Sequence, residues 1–275
     1  YVDTHKENIQ VIVFEVTAEI ALTEIKRFLE PRLMEEFQLR RVSAPMYLPL
    51  DSPLIDPRYP GAKVHLEGAH ADVAIVGSLD LWLRGQLRRY DAAIGFGVFT
   101  IMNAIRPEVV PGPTATVHVA AWAWQQTLAD ADASVSAIAP RARQLYSLLL
   151  ATEKRLLEMF PHMHPTLHKS IDILTHEALE AMMPGMTTER RIYEYLHPSR
   201  QEKPAERHCA AVFICRGDGS HVADGEMWVW NRRVNLPLLI ADIGVWKADE
   251  IGPSSVGGNI YRNQLAMQLL HQDEV

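Results

Sequence analysis

Ile94-Gly95-Phe96-Gly97-Val98-Phe99-Thr100-Ile101-Met102-Asn103-Ala104-Ile105-Arg106 has the apolar content of a buried strand, and it closes on an arginine followed at once by Pro107. Pro107 to Pro113 holds three prolines and Gly112, the composition of a loop. Thr116-Val117-His118-Val119-Ala120-Ala121-Trp122-Ala123-Trp124 then reads as a returning strand. An arginine at the mouth of a strand-loop-strand unit can meet a phosphate or carboxylate with a two-pronged, charge-assisted contact. On spacing alone, Arg106 also reads as a surface arginine on a hairpin.

Gly95 to Glu108, followed by Val119 to Trp124, resembles the ammonia-dependent asparagine synthetase (aspartate–ammonia ligase) family. That family has the catalytic fold of class II aminoacyl-tRNA synthetases. Its pattern is a glycine-flanked strand closing on Ala-Leu-Arg-Pro, then a strand running into Asp-Gln-Trp-Asp-Trp. The resemblance implies an α+β fold, an antiparallel sheet flanked by helices, as a single catalytic domain over residues 1–275. It implies ATP and Mg²⁺ as cofactors, and a role for Arg106 in holding the ATP α-phosphate and the activated carboxylate. Ala120, Ala121, Ala123 and Gln125 stand where the family carries acidic and amide residues.

Composition narrows the class. The 275 residues are 48% hydrophobic and 22% charged, ordinary for a globular protein that buries a core. A formal net charge of -7 argues against a nucleic-acid partner. No apolar run approaches the ~20 residues of a membrane span, and the first residues lack the layout of a secretion signal. Cys209 and Cys215 flank an apolar run. On one strand they would lie ~20 Å apart, too far to bridge. The expectation is a cytoplasmic protein with reduced thiols.

Outside the central unit, Val11-Ile12-Val13-Phe14 reads as a strand or a helix start. From Thr17, a candidate N-cap, a helical period places Ile20, Ile25, Phe28, Leu29, Leu33 and Phe37 near one face, with Pro31 expected to kink or restart the helix. A helix running into Leu39 to Pro45 resembles the first class II motif, which implies a homodimer. Lys63–Leu66 and Val73–Val76 read as strands, and Ser78 as the N-cap of a helix with Leu79, Trp82, Leu83 and Leu87 on one face. A long helix after Pro140, helices from Thr175 and Thr187, and strands at 171–174, 208–215, 226–231 and 238–246 complete the pattern. His162, His164 and His168 lie in a proline-broken segment without zinc-site spacing, and they read as a solvated linker.

The resemblance carries further residues with it. Asp56, in Asp56-Pro57-Arg58-Tyr59-Pro60-Gly61, stands where a family aspartate contacts the substrate amino acid. Ser78, Trp82 and Arg84 keep a family His-Ser-Leu-x-x-Trp-Lys-Arg pattern whose lysine is Leu83 here. Gly257-Gly258 matches the closing glycine-rich strand of class II domains. The family's magnesium glutamate is Leu239, a neighbouring serine is Asp242, and the last ATP arginine is Gln264. Arg262, two residues early, points about 200° around a helix and does not replace it. Most of an insertion that helps the family hold aspartate is gone between Gly217 and Gly225.

Candidate catalytic residues are therefore Arg106 and Asp56. Candidate substrate contacts are Asp56, Ser78, Arg84 and His118. Candidate nucleotide contacts are Arg106, Glu108, Gly257 and Gly258, with Asp242 as the candidate metal ligand. His118 reads either as a base or as a buried histidine with one hydrogen bond. These residues support three readings. One is a diverged ligase acting on a carboxylate or amino-acid-like substrate by ATP-dependent activation and amide formation. Another is a catalytically silent binding or partner subunit. The last is a true aspartate–ammonia ligase with rebuilt nucleotide contacts.

Overall fold

The computed structural model describes residues 3–69, 71–197, 210–216 and 223–270. In chain order these form α1 (Asp3–Glu36), β1 (Leu39–Arg41), β2 (Tyr47–Pro49), β3 (Ala62–Leu66), β4 (Ala71–Ile75), α2 (Asp80–Arg89), β5 (Gly97–Ile105) and β6 (His118–Thr127). The second half adds α3 (Ile138–Met159), β7 (Asp172–Thr175), α4 (His176–Met182), α5 (Thr188–Leu196), β8 (Ala210–Arg216), β9 (Ala223–Asn231), β10 (Leu236–Trp246), β11 (Ser255–Tyr261) and α6 (Arg262–Leu269). Cys209 and the Gly217–Val222 part of the shortened insertion lie outside the described residues.

One eight-stranded sheet runs β1-β5-β6-β11-β10-β9-β8-β7, and a small sheet runs β2-β4-β3. Pairing is antiparallel except for β1 with β5 and β7 with β8. The strand-loop-strand unit is β5 and β6, paired from Gly97↔Gln126 to Ile105↔His118. Side chains alternate between the faces of a strand, and here the alternation separates two cores. Phe99, Trp122 and Trp124 join α1, α3 and α6 on the back face. Met102, Ala121, Ala123 and Tyr261 join α2 on the front face. The front face is covered again at its far end, where Leu179, Ile192 and Leu196 of α4 and α5 pack on Trp230.

Several readings of the N-terminal half change. Val11–Phe14 lies inside α1, and Thr17 is mid-helix rather than a cap. Pro31 also lies inside α1, which continues to Glu36. Its buried face is Ala21, Ile25, Leu29 and Leu33, with Phe37 just beyond the helix, whereas Ile20 is exposed. Packing on α3 and the sheet supports this helix past a residue that removes one backbone donor. Ser78 is not the cap of α2: that position is Leu79, while the Ser78 hydroxyl accepts from the Asp80 N–H. Thr175 and Thr187 do cap α4 and α5, their hydroxyls accepting from Ala178 N and Arg190 N. No helix among the described residues is long and apolar enough to cross a membrane.

Candidate active site

The middle of the front face gathers polar groups from six places in the chain, at residues 56–61, 77–80, 106, 224–226, 242 and 259–261. Arg106 follows β5, where its Nε donates to the Gly77 carbonyl at 2.9 Å and its guanidinium lies 3.8 Å above the Tyr59 ring. That stack depends on Gly77. A Cβ there would strike the Tyr59 carbonyl and the Gly61 nitrogen, so only glycine lets the Asp56–Gly61 loop come this close. Arg106 is 7% exposed, and its Nη2 has no hydrogen-bond partner.

Carboxylates surround this cation. Asp56 is buried and gripped by Arg58, Nε to Oδ1 at 3.1 Å and Nη2 to Oδ2 at 2.7 Å. Arg58 also reaches Asp224 of β9 at 3.3 Å, which ties the loop to the sheet. Asp80 accepts from Ser78 at 2.9 Å and from Asn259 Nδ2 at 3.3 Å. Asn259 also donates to Asp242 Oδ1 through its backbone and side chain, both at 3.0 Å, and the Tyr261 hydroxyl donates to Asp242 Oδ2. Glu226, paired with Asp242 in register, accepts from Trp228 at 3.0 Å. Five carboxylates thus share this face with two guanidinium groups.

The excess negative charge has a physical consequence. Burial, reinforced by the charges of Asp242 and Asp56, pushes the Asp80 pKa up to about 6. Burial also raises those of Asp242 and Glu226. For Arg106, burial opposes the charged form, but the phenolic oxygens of Tyr261 and Tyr59 and the Asp242 charge outweigh it and raise its pKa. An anionic cluster beside one guanidinium nitrogen without an acceptor is suited to a molecule carrying both a cation and an anion.

Residues 16–231 match the sequence profile of the aspartate-ammonia ligase family. The chain belongs to that family. An aspartate–ammonia ligase of Bacteroides thetaiotaomicron is 27% identical over 273 residues, covering 93% of this chain and 76% of the relative. One of Ruminiclostridium cellulolyticum is 31% identical over 265 residues, covering 91% and 74%. The fold is that of class II synthetases. Entamoeba histolytica asparaginyl-tRNA synthetase, solved with asparaginyl-adenylate, superposes with a TM-score of 0.64 at 9% identity, over 98% of this chain and 68% of that one. The asparaginyl-tRNA synthetase of Pyrococcus horikoshii gives 0.63 at 8% identity, over 94% and 66%.

Measured against this aspartate–ammonia ligase pattern, Arg106, Asp56, Ser78 and Asp242 come together and other candidates do not. Arg84 is fully buried and directed away, its guanidinium bonded to Asp249 at 2.8 and 3.1 Å and to the carbonyls of Lys247, Gly252 and Pro253. It pins α2 to the 247–253 loop through both terminal nitrogens, and only its buried Nε lacks a partner. His118 is neither a buried histidine nor part of the front face. It is exposed on the back face, one position out of phase with Val119 and Ala121. Glu108 is exposed in the turn beyond Arg106. Gly257 and Gly258 are buried in mid-strand: the Gln125 side chain covers Gly257, and a Cβ on Gly258 would strike the Asp242 carbonyl. Both serve close strand and side-chain packing.

The residues do not fit Mg²⁺. Asp242 already accepts from Asn259 on one oxygen and Tyr261 on the other. Among the described residues no three His, Cys, Asp or Glu side chains converge as a metal site. An apolar Leu239 at the family's magnesium-glutamate position agrees with this.

Sequence reasoning missed Asp80, Tyr59, Arg58, Asn259 and Tyr261. Asp80 resembles any first-turn helix acid. Arg58 lay two residues from a recognised aspartate, which was the available signal. Tyr261 and Asn259 were visible only as every second residue of a strand whose facing was unknown. Glu153 of α3 is structural, its Oε1 accepting from Thr166 and Leu167.

Proposed function

We propose that this protein is a diverged carbon–nitrogen ligase of the aspartate–ammonia ligase family, acting on an amino-acid-like substrate by ATP-dependent activation of a carboxylate. The observation that carries the reading is the unpartnered Nη2 of buried Arg106 facing the carboxylate cluster. A buried guanidinium nitrogen without an acceptor is costly unless a ligand supplies one. Arg106 would hold the substrate carboxylate and the phosphate end of ATP, whose chemistry is to make that carboxylate electrophilic. The carboxylates opposite would hold the substrate's ammonium group. Asp80, with a pKa of about 6, is placed to take a proton from an attacking amine near neutral pH. Ala121 and Ala123, both fully buried on this face, leave it less polar than the family pattern and suit a substrate other than aspartate. The α1–β1 unit, which resembles the first class II motif, supports a homodimer, to be checked by sedimentation velocity.

A pyrophosphate–ATP exchange assay across a panel of amino and carboxylic acids tests this reading. Exchange with at least one acid is expected, falling about 100-fold or more in Arg106→Ala. Exchange that survives Arg106→Ala removes the arginine from the reaction. A second reading, a catalytically silent binding subunit, is favoured by the poor magnesium donor set. Absence of exchange together with absence of ATP binding in calorimetry would select it.

A further inference from the structure

The back face of the sheet carries a separate cavity of about 260 Å³. Lys26 of α1, His118 and Trp122 of β6, Asn103 of β5, and Arg262 and Asn263 of α6 line it, and the rest of the lining is apolar. Its charge is unbalanced. Arg262 Nη2 donates only to neutral acceptors, Asn103 Oδ1 at 2.8 Å and the Met102 carbonyl at 3.3 Å, and its buried Nε has no acceptor. Among the described residues no carboxylate pairs directly with Arg262 or Lys26. The acid whose charge acts on Arg262, Glu30, accepts from Trp122 Nε1 at 2.7 Å and pairs with Arg41 at 3.6 Å. Arg262 is half-buried, but its Nε is shut off from solvent without an acceptor, and a buried donor left unpaired is costly. The volume is slightly below the ~300 Å³ at which drug-sized ligand pockets begin, a size for one ring or a short chain.

We propose that this cavity binds a small organic carboxylate, its head group on Arg262 and Lys26 and its apolar body against Trp122. Nothing in this depends on the ligase reading, because the cavity lies on the other side of the sheet. An occupant would touch the strands that carry the front site: Arg262 follows Tyr261 directly, and His118 pairs with Ile105, the neighbour of Arg106.

Calorimetric titration of the full chain with benzoate, with benzyl alcohol as the neutral control and inorganic phosphate as the competing anion, tests the proposal. Saturable benzoate binding is expected, with benzyl alcohol inert and phosphate weaker. Lys26→Glu changes an exposed residue and should weaken benzoate about tenfold or more with an unchanged melting temperature. Arg262→Gln should do the same, and Arg106→Ala should leave benzoate binding intact. Absence of benzoate binding, a preference for phosphate, indifference to Lys26→Glu, or loss in Arg106→Ala would each overturn it.

Discussion

Asp80 occupies the first turn of α2, where a carboxylate ordinarily gains from the helix N-terminus. Here burial and the charges of Asp242 and Asp56 dominate and hold its pKa up at about 6, against an ordinary 3.8. The folded state therefore keeps a proton that the unfolded state releases. The contribution of this group is fully present below about pH 4 and is lost as the pH rises through about 6, with about 3 kcal/mol at stake. Asp80→Asn should flatten that fall and gain relative to the parent at pH 8, while matching it at pH 3.5. Urea denaturation across this range checks it, and an unchanged slope would assign the effect to Asp242. Activity, in the proposed reaction, should rise through pH 6 in the parent as Asp80 ionises. Arg106 was legible at this scale because a strand ending in Arg-Pro is a local pattern. Asp80 was not, because its perturbation comes first from burial in the folded chain and then from Asp242, 162 positions away.

Most elements were legible for the same reason, since their signals are local. Apolar content marked β5 and β6, the resemblance marked β10 and β11, and threonines marked the starts of α4 and α5. The helix was misjudged at Pro31, where packing of α1 on α3 carries it on to Glu36. Facing was the larger gap. His118 and Val119 sit side by side in sequence, yet alternation sends them to different sides of the sheet, and only the register with β5 and β11 decides which side holds the site. Gly258 belongs to this scale. With the Asp242 carbonyl where a Cβ would go, Gly258→Ala should part β11 from β10 and lower stability by about 3 kcal/mol or more, read by thermal unfolding. A nucleotide-binding glycine replaced by alanine would instead leave the melting temperature near the parent's and lose ATP.

Across the whole molecule, the Arg84 clamp holds α2 over the sheet by joining it to residues more than 160 positions later. A fully buried guanidinium with these partners makes Arg84→Ala costly, by about 3–5 kcal/mol. Asp249→Asn should cost much less, because the Asp249 side chain is 39% exposed and screened by solvent. Urea denaturation distinguishes this from a substrate role, which would lower activity without this loss of stability. The sequence by itself determined the α+β class, the order of the elements, membership of the aspartate–ammonia ligase family and the place of Arg106. These rest on periodicity and on short contiguous motifs. Only the tertiary structure decided which neighbours share the site. A carboxylate cluster, a buried guanidinium nitrogen without an acceptor and a cavity behind the sheet all arise from strand register and burial, which join residues far apart in the chain.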